Sequence, residues 1–399
     1  MVNGSALESI RVIDASTLFA GPTVAAMLSD MGADVIKIEH PNRPDSSRGH
    51  GAVKDNVGLW WKMIGRNKRN IAIDLHNHDG QEVFLKLIES ADILVENFRP
   101  GKLASWGLSY ERMSKINPGL IVVRITGFGQ IGPRSQEPGF GTLAEAMSGF
   151  ASMTGQPDGP PTLPPLALAD TITGITGAYA AVVALYARTN NGGLGQEIDL
   201  SLIEPMMAVL GPQITVYDQL GIIAERHGNR SVNNAPRNLY QASDGKWIAI
   251  STSSQSIAER VMTMVGRPDY IDQPWFQSGA ERAKRAEELD DAIKNWLKEK
   301  DSTEALEAFR QAQAAATLVY DVSDLVTDPQ LQALNTIQKI QDPELGEVKM
   351  QNVPFRMSRT PGEIRWAGRP HASDTDHILT ELGYSAEEVN RLKQTGEVK

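Results

Sequence analysis

One acidic residue stands in an otherwise apolar, glycine-flanked stretch of the chain. Pro161–Gly174 reads PTLPPLALADTITG, and its only charged residue is Asp170. The small and apolar residues that follow, through Ala187, predict a buried helix that begins near Asp170. A carboxylate at that place is typical of a helix N-cap. In apolar surroundings the same carboxylate is also a better nucleophile. The stretch alone therefore leaves two interpretations, a cap and a catalytic nucleophile.

The other residue types narrow the chemistry. The chain has no cysteine, which excludes disulfides, thiolate catalysis and thiolate zinc sites. His76 and His78 lie two residues apart, but no third ligand is evident near them, so we expect a turn without a metal. The sequence contains no HExxH, GxSxG or P-loop motif. Arg66, Lys68 and Arg69 precede a predicted strand, where such a cluster either holds phosphates or forms a solvated surface.

Composition bounds the class of protein. With 399 residues the chain is long enough for two domains or one large one. Its net charge of −10 argues against nucleic-acid binding, and any anionic ligand must be held by a local basic cluster. The N-terminus lacks a basic start followed by an apolar run, and the longest apolar stretch, Ile172–Ala187, is short and interrupted by glycine. We therefore expect a cytoplasmic protein without a membrane segment.

Strands and helices alternate through about residue 130. The predicted strands are Ile10–Ala15, Asp34–His40, a strand that ends near Leu75, Asp92–Phe98 and Leu120–Phe128. This alternation predicts a doubly wound α/β sheet, although the first turn lacks the GxGxxG motif of dinucleotide-binding proteins. Ligands of such sheets collect at the carboxyl ends of the strands. We therefore expect Phe19, His40, Asn97 and Gly127 to line one crevice.

The composition changes along the second half of the chain. Gly195–Leu202 is a predicted strand that leads into one helix, and a polar segment follows Gly221. We predict that residues 1–221 form the N-terminal part of a large domain and that 222–239 are a linker. Residues 240–325 are predicted to form a smaller domain. Residues 326–399 are predicted to be a second linker and a C-terminal part that returns to the large domain.

A series of motifs runs almost from end to end. They are AGP (Ala20–Pro22), GADVIKIE (Gly32–Glu39), NKRNIAIDL (Asn67–Leu75), ENFRPG (Glu96–Gly101), GFGQIGP (Gly127–Pro133), AEAMSGF (Ala144–Phe150), TGQPDGPPT through ALAD (Thr154–Asp170), GQEIDLSLIE (Gly195–Glu204), HGN with Pro236, and the ELGYSAEEV tail. In this order and spacing they resemble the class III CoA-transferase family (CaiB/BaiF, formyl-CoA transferase-like). The resemblance implies a CoA-transferase without a tightly bound cofactor, with CoA thioesters and carboxylic acids as substrates.

The resemblance also assigns roles to residues. Asp170 matches the family's nucleophilic aspartate, which would carry an acyl anhydride and then a CoA thioester while CoA moves from a donor to an acceptor acid. The resemblance to this family suggests succinyl-CoA as the donor. The positions that match CoA contacts are Phe19, Ala20, His40, Lys68, Arg69, Asn97, Phe98 and Arg99. No metal is implied.

Three departures from the family pattern concern phosphate binding and the acyl substrate. Ser105 stands where several relatives have arginine, so phosphate binding would rely on Arg99 or Lys102. Gly141 stands where relatives often have an acidic residue, which points to a bulkier or dicarboxylic acceptor. Ser253–Ser256 lacks the glycine-rich lid of the formyl-CoA branch.

The implied fold is a large Rossmann-like domain built from both ends of the chain, a small α+β middle domain, and an interlocked homodimer. Two other functions stay open. The first is an acyl-CoA racemase, whose proton-exchanging histidine would fall at Phe140, a side chain that exchanges no proton. The second is a non-catalytic acyl-CoA-binding protein in which Asp170 is only a cap.

Overall fold

Six short strands form a parallel sheet. The structure is a computed structural model and describes residues 4–399. Its first eight strands are β1 (Arg11–Asp14), β2 (Asp34–Glu39), β3 (Val53–Lys54), β4 (Val57–Gly58), β5 (Lys68–Ala72), β6 (Ile93–Glu96), β7 (Ile121–Thr126) and β8 (Glu197–Ser201). The sheet order is β5-β2-β1-β6-β7-β8, whereas β3 and β4 form a separate hairpin. The predicted parallel α/β sheet is confirmed.

The order of the strands fixes where a ligand can enter. Every neighbouring pair in this sheet is parallel. Counted among the six sheet strands alone, the order is 3-2-1-4-5-6, so the chain changes direction between β1 and β6. Ligands of such sheets bind outside the carboxyl ends of the strands at this switch point. The loops that follow Asp14 and Glu96 lie side by side there.

Helices cover both faces of the sheet. The first nine are α1 (Ala20–Asp30), α2 (Leu59–Ile64), α3 (His78–Glu89), α4 (Lys102–Ser105), α5 (Tyr110–Ile116), α6 (Gly141–Met147), α7 (Phe150–Met153), α8 (Leu168–Asn190) and α9 (Ile203–Val209). One buried cluster joins the sheet to α1, α8 and α9, and another joins the opposite face to α3 and α5. This burial on both faces explains why the strands are mostly apolar.

Small residues allow α8 to pack closely on α1. A Cβ atom at Gly174 would lie 2.6 Å from the Thr23 Cβ atom, and one at Gly177 would lie 2.7 Å from Val24. α8 is long and apolar enough, by length and composition alone, to cross a membrane. It is longer than the sequence predicts because it extends from Leu168 to Asn190. Its glycine-rich side is buried against α1, as in a core helix, so a single helix of this kind is weak evidence for a membrane span.

The chain divides into two units. One contains the chain up to Phe150, Pro164–Gly211 and Gln330–Lys399; the other contains Ala151–Leu163 and Pro212–Pro329. The second unit therefore includes the segment 222–239, which the sequence assigned to a linker. The helix expected after β8 is interrupted, because Gly211 has a positive φ of 74° and Pro212 follows it.

The second unit is an antiparallel sheet with helices. Its strands are β9 (Arg237–Gln241), β10 (Trp247–Ser251) and β11 (Ala315–Leu318), in the order β11-β10-β9. The helices that begin in this unit are α10 (Gln213–Leu220), α11 (Gln255–Met264), α12 (Gly279–Lys284), α13 (Ala286–Leu297), α14 (Ser302–Gln311), α15 (Val322–Leu325) and α16 (Pro329–Ala333). Tyr240 and Ile293 belong to its own buried core.

The C-terminal segment belongs to the first unit. It contains the hairpin of β12 (Ile337–Asp342) and β13 (Gly346–Gln351), followed by α17 (Thr375–Glu381) and α18 (Ala386–Thr395). α17 and α18 contribute to the buried cluster that also contains α3. The buried ammonium of Lys62 lies 2.7 Å from carboxylate oxygens of both Asp342 and Glu344. These contacts attach the hairpin to the first unit.

Candidate active site

Asp170 lies in the first turn of α8 and lines a cavity. The N-cap of α8 is Ala167, so the prediction that Asp170 caps the helix is wrong. The cavity, of about 230 Å³, lies outside the carboxyl ends of the strands at the switch point. We call it the Asp170 cavity. Its walls come from the β1–α1 turn, the loops after β6 and β7, and the segment before α6, and they include Ala20, Asn97, Gly127 and Phe140.

Glycines bring the walls of this cavity close to the carboxylate. A Cβ atom at Gly141 would lie only 2.1 Å from Oδ2 of Asp170. A Cβ atom at Gly127 would lie 2.4 Å from the Cα atom of Gly139, so the two loops meet backbone to backbone. The space left by Gly141 is therefore filled by the carboxylate of Asp170. This explains Gly141 without the enlarged acceptor site that the sequence suggested.

A second carboxylate lies beneath Asp170. Glu145 of α6 is only 3% exposed, and its Oε1 accepts a hydrogen bond of 3.1 Å from the backbone N–H of Ala169. Burial raises the pKa of Asp170 to about 6; the charge of Glu145 acts in the same direction, and the Asp170 backbone amide opposes both. Asp170 is thus ionised at neutral pH but incompletely solvated, which suits a nucleophile. The sequence missed Glu145, although it lies within the AEAMSGF motif.

Hydrogen bonds fix the turn between β1 and α1. The Asn97 side chain accepts from the Thr17 N–H and donates to the Thr17 carbonyl, each at 2.8 Å. Leu18 has a positive φ of 66°, and its N–H donates to the Asp45 carboxylate at 3.1 Å. Asn97 thus lines the cavity as predicted, but its amide braces the turn. Phe19 lies away from the cavity lining and packs against the rings of His50 and Trp60.

A second cavity adjoins the first. It has a volume of about 300 Å³ and shares Thr17 and Phe98 with the Asp170 cavity. We call it the His40 cavity. The rings of Phe98 and Trp106 lie 5.2 Å apart in its wall, and Arg43 adds an exposed guanidinium without an ion-pair partner among the described residues. The crevice predicted from the strand ends therefore consists of two neighbouring cavities.

Two histidines flank a carboxylate in the His40 cavity. His40, Asp74 and His76 have ligand atoms within 4.8 Å of one another, so His76 has two possible co-ligands, but His78, which the sequence paired with it, is not part of this cluster. Nδ1 of His40 accepts from the Asn42 N–H at 3.0 Å, which places the proton of the neutral ring on Nε2, facing Asp74. Nδ1 of His76 lies 2.9 Å from Asp74. With its N–H turned towards Asp74 and its Nδ1 accepting from Asn42, the neutral His40 ring offers no free nitrogen to a metal.

The basic cluster near β5 serves the fold. Lys68 is fully buried, and its ammonium lies 2.8 Å from Asp14 and 2.7 Å from the Pro22 carbonyl. Arg69 pairs with Asp34 and Glu381. Neither side chain lines either cavity. The predicted CoA contacts at Lys68 and Arg69 thus find no support in the structure, since both cations are committed to ion pairs.

Comparison with known proteins identifies the family of this chain. The family model of CoA-transferase family III matches residues 7–375. The succinyl-CoA–D-citramalate CoA-transferase of Chloroflexus aurantiacus is 37% identical over 94% of this chain and 94% of its own length. The chain belongs to CoA-transferase family III. It is accordingly a CoA-transferase, as the motifs indicated.

Other relatives and a solved structure agree. The beta subunit of the succinyl-CoA–L-malate CoA-transferase of Chloroflexus aurantiacus is 36% identical over 97% of this chain and 96% of its own. The succinate–glutarate CoA-transferase of Agrobacterium fabrum is 32% identical over 94% of this chain and 95% of its own. The crystal structure of a CaiB/BaiF family protein from Brucella suis superposes with a TM-score of 0.84 at 29% identity, covering 95% of this chain and all of the other.

The remaining departures from the family pattern lie outside both cavities. The Ser105 hydroxyl donates to the Lys102 carbonyl at 2.7 Å, and the Lys102 ammonium lies 4.9 Å from the centre of the Trp106 ring. Ser254 is the N-cap of α11 in the second unit. Of the basic residues proposed to replace the missing arginine, Arg99 alone reaches a cavity described above, and that cavity holds Asp170.

The pH dependence of this CoA-transferase tests the electrostatics of the site. Glu145→Gln keeps an oxygen for the Ala169 N–H and removes the negative charge, so the pKa of Asp170 is expected to fall. The family resemblance implies that the ionised Asp170 carboxylate attacks the thioester, so activity is expected to rise with pH through about 6 in the unmodified protein. In the variant this rise should move to lower pH. Profiles of kcat/KM from pH 4.5 to 8 for the two proteins measure this shift. Superimposable profiles would contradict the influence of the Glu145 charge on Asp170.

The role of Lys68 is separable from substrate binding. Lys68→Met removes the nearer of the two ammonium groups beside the buried Asp14 and leaves the Lys37 ammonium at 3.9 Å and the hydrogen bonds from Ser16. We expect the free energy of unfolding to fall by about 3 kcal/mol or more, since breaking a buried ion pair leaves an uncompensated charge. Denaturant titration measures this fall. The KM for the CoA thioester should change less than about threefold in the folded fraction, and a large rise without loss of stability would restore the predicted CoA contact.

Proposed function

We propose that this chain moves CoA from succinyl-CoA to a second carboxylic acid through covalent intermediates on Asp170. The observation that carries the proposal is that two neighbouring cavities share Thr17 and Phe98 in their walls, one holding a partly buried carboxylate and the other aromatic and basic side chains. Relatives at 36 and 37% identity are named for succinyl-CoA as donor and for hydroxylated dicarboxylic acids as acceptors.

The shape of the two cavities suits an extended CoA thioester. In this proposal the nucleotide occupies the His40 cavity, with its base against Phe98 and Trp106 and its phosphates near Arg43 and His40. Burial lowers the pKa of His40, with Arg43 and His76 acting in the same direction and Asp74 opposing, so the His40 ring is uncharged at neutral pH and Arg43 supplies the positive charge near the phosphates. The pantetheine chain passes Thr17 and Phe98, and the thioester reaches Asp170.

The proposed reaction needs no external base or oxidant. A carboxylate oxygen of Asp170 attacks the thioester carbonyl carbon, the carbon–sulfur bond breaks, and CoA thiolate leaves an acyl anhydride. The thiolate attacks Cγ of Asp170, releasing the donor carboxylate and forming an aspartyl-CoA thioester. The acceptor carboxylate attacks Cγ and displaces the thiolate. The thiolate then takes the acceptor acyl group from this second anhydride and restores the carboxylate.

The surroundings of Asp170 favour this chemistry. Each tetrahedral intermediate carries a negative oxygen, which backbone N–H groups stabilise. Among the described residues, the N–H groups of Gly139, Phe140 and Gly141 donate to no protein acceptor, and Gly141 lies against the Asp170 carboxylate. We assign these amides to the oxyanion. Burial of Asp170 further removes water that would otherwise hydrolyse the anhydride.

Mass spectrometry of the intact protein tests the proposal. After incubation with succinyl-CoA, the protein is trapped with hydroxylamine or borohydride and digested. A modified peptide that contains Asp170 is expected, and the same treatment of Asp170→Asn should give none. The absence of an adduct with any of a broad set of acyl-CoA thioesters would contradict covalent transfer. Exchange of α-protons in deuterium oxide would then favour the racemase.

The alternative functions receive no specific support. Phe140 lines the Asp170 cavity, and its side chain neither takes nor gives a proton. The non-catalytic interpretation relied on Asp170 as an N-cap, and that position belongs to Ala167. The cytoplasmic location remains a prediction.

We also propose that the chain works as a homodimer, interlocked as the family resemblance implies. One side of α8 carries exposed apolar side chains at helical spacing: Ile175, Tyr179, Val182, Val183 and Tyr186. Tyr179 and Tyr186 are 71% and 73% exposed, and an apolar face of this kind is typical of a protein interface. Sedimentation of the purified protein as a monomer at micromolar concentration would contradict the dimer.

A further inference from the structure

Leu18 has an unusual backbone conformation at the wall of the Asp170 cavity. Its φ of 66° lies in the left-handed region, which a bulky side chain rarely adopts. Among the described non-glycine residues with a positive φ, Leu18 alone lines either of the two cavities. Strain of this kind persists only where the surrounding structure holds the residue in place. The conformation of Leu18 therefore depends on a partner.

That partner is the carboxylate of Asp45. Asp45 is 4% exposed, and its Oδ1 accepts from the N–H groups of Leu18 and Ser47, at 3.1 and 2.9 Å. Its Oδ2 lies 3.3 Å from the buried ammonium of Lys37. Asp45 also lines the His40 cavity, but both of its oxygens are engaged by the protein. The structure thus gives this carboxylate a partner in the turn rather than a free oxygen for a ligand.

Lys37 connects Asp45 with the other side of the same turn. Its ammonium also donates to the carbonyl of Ser16. Burial alone would lower the pKa of Lys37, but the nearby carboxylates, Asp14 foremost, outweigh burial and hold this pKa above its usual value. Lys37 is therefore charged at neutral pH and neutralises Asp45. Together the two side chains hold the backbone immediately before and immediately after Thr17.

We propose that Asp45 is a positioning residue for CoA transfer. It holds Leu18 in the left-handed conformation and so fixes the wall at Thr17 that the two cavities share. This inference rests on the proposed function, in which the thioester passes Thr17 on its way to Asp170. Asp45 contacts no reacting atom in this role and acts on the rate only through the position of the turn.

A double-mutant cycle with Leu18→Gly tests the inference, because glycine adopts a positive φ without support. The reaction measured is the exchange of labelled succinate with succinyl-CoA. In the presence of Leu18, Asp45→Ala is expected to lower kcat by about 10- to 100-fold, since a misplacement of about 1 Å costs roughly 10²-fold. In the Leu18→Gly background the same substitution should lower kcat only about twofold, because glycine populates both signs of φ about equally.

Gln313→Gly is the matched control for Leu18→Gly. Gln313 also has a positive φ, of 50°, and lines neither cavity, so the loss caused by Asp45→Ala should be undiminished in that background. Asp45→Asn keeps the side-chain volume and an acceptor oxygen, so its loss of kcat should be smaller. It replaces Asp45→Ala in the cycle if alanine prevents folding. Calorimetry should give a Kd for CoA within about threefold of the unmodified protein for each folded variant.

Three results would overturn the role of Asp45. An equal loss of kcat with Leu18 and with glycine at this position would show that Asp45 acts through Ser47 or through stability alone. A rise in the Kd for CoA that matches the loss of kcat would make Asp45 a binding residue. Undiminished exchange in Asp45→Ala would show that the turn needs no support. Failure of the unmodified protein to exchange any acid would instead overturn the proposed function and, with it, this inference.

Discussion

Asp170→Asn is expected to reduce CoA transfer by about 10⁴-fold or more, the loss typical of removing a covalent nucleophile. The amide occupies the same volume, but its oxygen lacks the negative charge that attacks the thioester. Because Ala167 is the N-cap, the substitution removes no helix cap. Initial rates of acyl exchange measure the loss, and the covalent adduct on the protein should disappear with it.

The direction in which Asp170→Asn changes the stability of the folded protein follows from the pKa of Asp170. The pKa of Asp170 is raised in the folded protein because burial disfavours its charge, so ionisation above pH 6 disfavours the folded state. Removing the charge should therefore leave the melting temperature at pH 8 unchanged or higher, and the Kd for CoA unchanged. A variant that melts well below the unmodified protein, or that retains transfer, would contradict the assignment of Asp170.

The sequence locates Asp170 because its surroundings are local in the chain. A single carboxylate between a proline-rich segment and an apolar helix stands out without any knowledge of the fold. The parallel sheet follows in the same way, since each strand is an apolar run between helices. The predicted strand Asp34–His40 and the observed β2, Asp34–Glu39, differ by one residue. Features that depend on a single segment of the chain, such as a strand or an isolated carboxylate, can therefore be predicted from the sequence.

The residues whose surroundings the sequence does not reveal have partners that are distant in the chain. In the sequence Lys68 and Arg69 resemble a phosphate-binding cluster. In the fold Lys68 pairs with Asp14, 54 residues away, and Arg69 pairs with Glu381, 312 residues away. Glu145 gains its importance from the Ala169 N–H, 24 residues away. His40 meets Asp74 only because β2 and β5 are neighbours in the sheet. The family motifs mark such residues, but the charge that each one meets is set by tertiary structure.

Gly141→Ala is expected to reduce transfer by about 100-fold or more without unfolding the protein. The added methyl carbon would lie 2.1 Å from Oδ2 of Asp170, far inside van der Waals contact, so the carboxylate must rotate away. A displacement of about 1 Å at a reacting atom costs roughly 10²-fold in rate. Gly141 is the first residue of α6 and does not have a positive φ, so alanine imposes no backbone strain there.

Comparing Gly141→Ala with Asp170→Asn distinguishes a displaced carboxylate from a missing one. Gly141→Ala retains the nucleophile, so prolonged incubation with succinyl-CoA should still label Asp170, only more slowly, whereas Asp170→Asn should never be labelled. Gly49→Ala is the matched control, because a Cβ atom there meets nothing within 4 Å and Gly49 also lacks a positive φ. Full activity in Gly141→Ala would show that the Asp170 carboxylate reacts from another rotamer. In that case the close approach of Gly141 would serve packing alone.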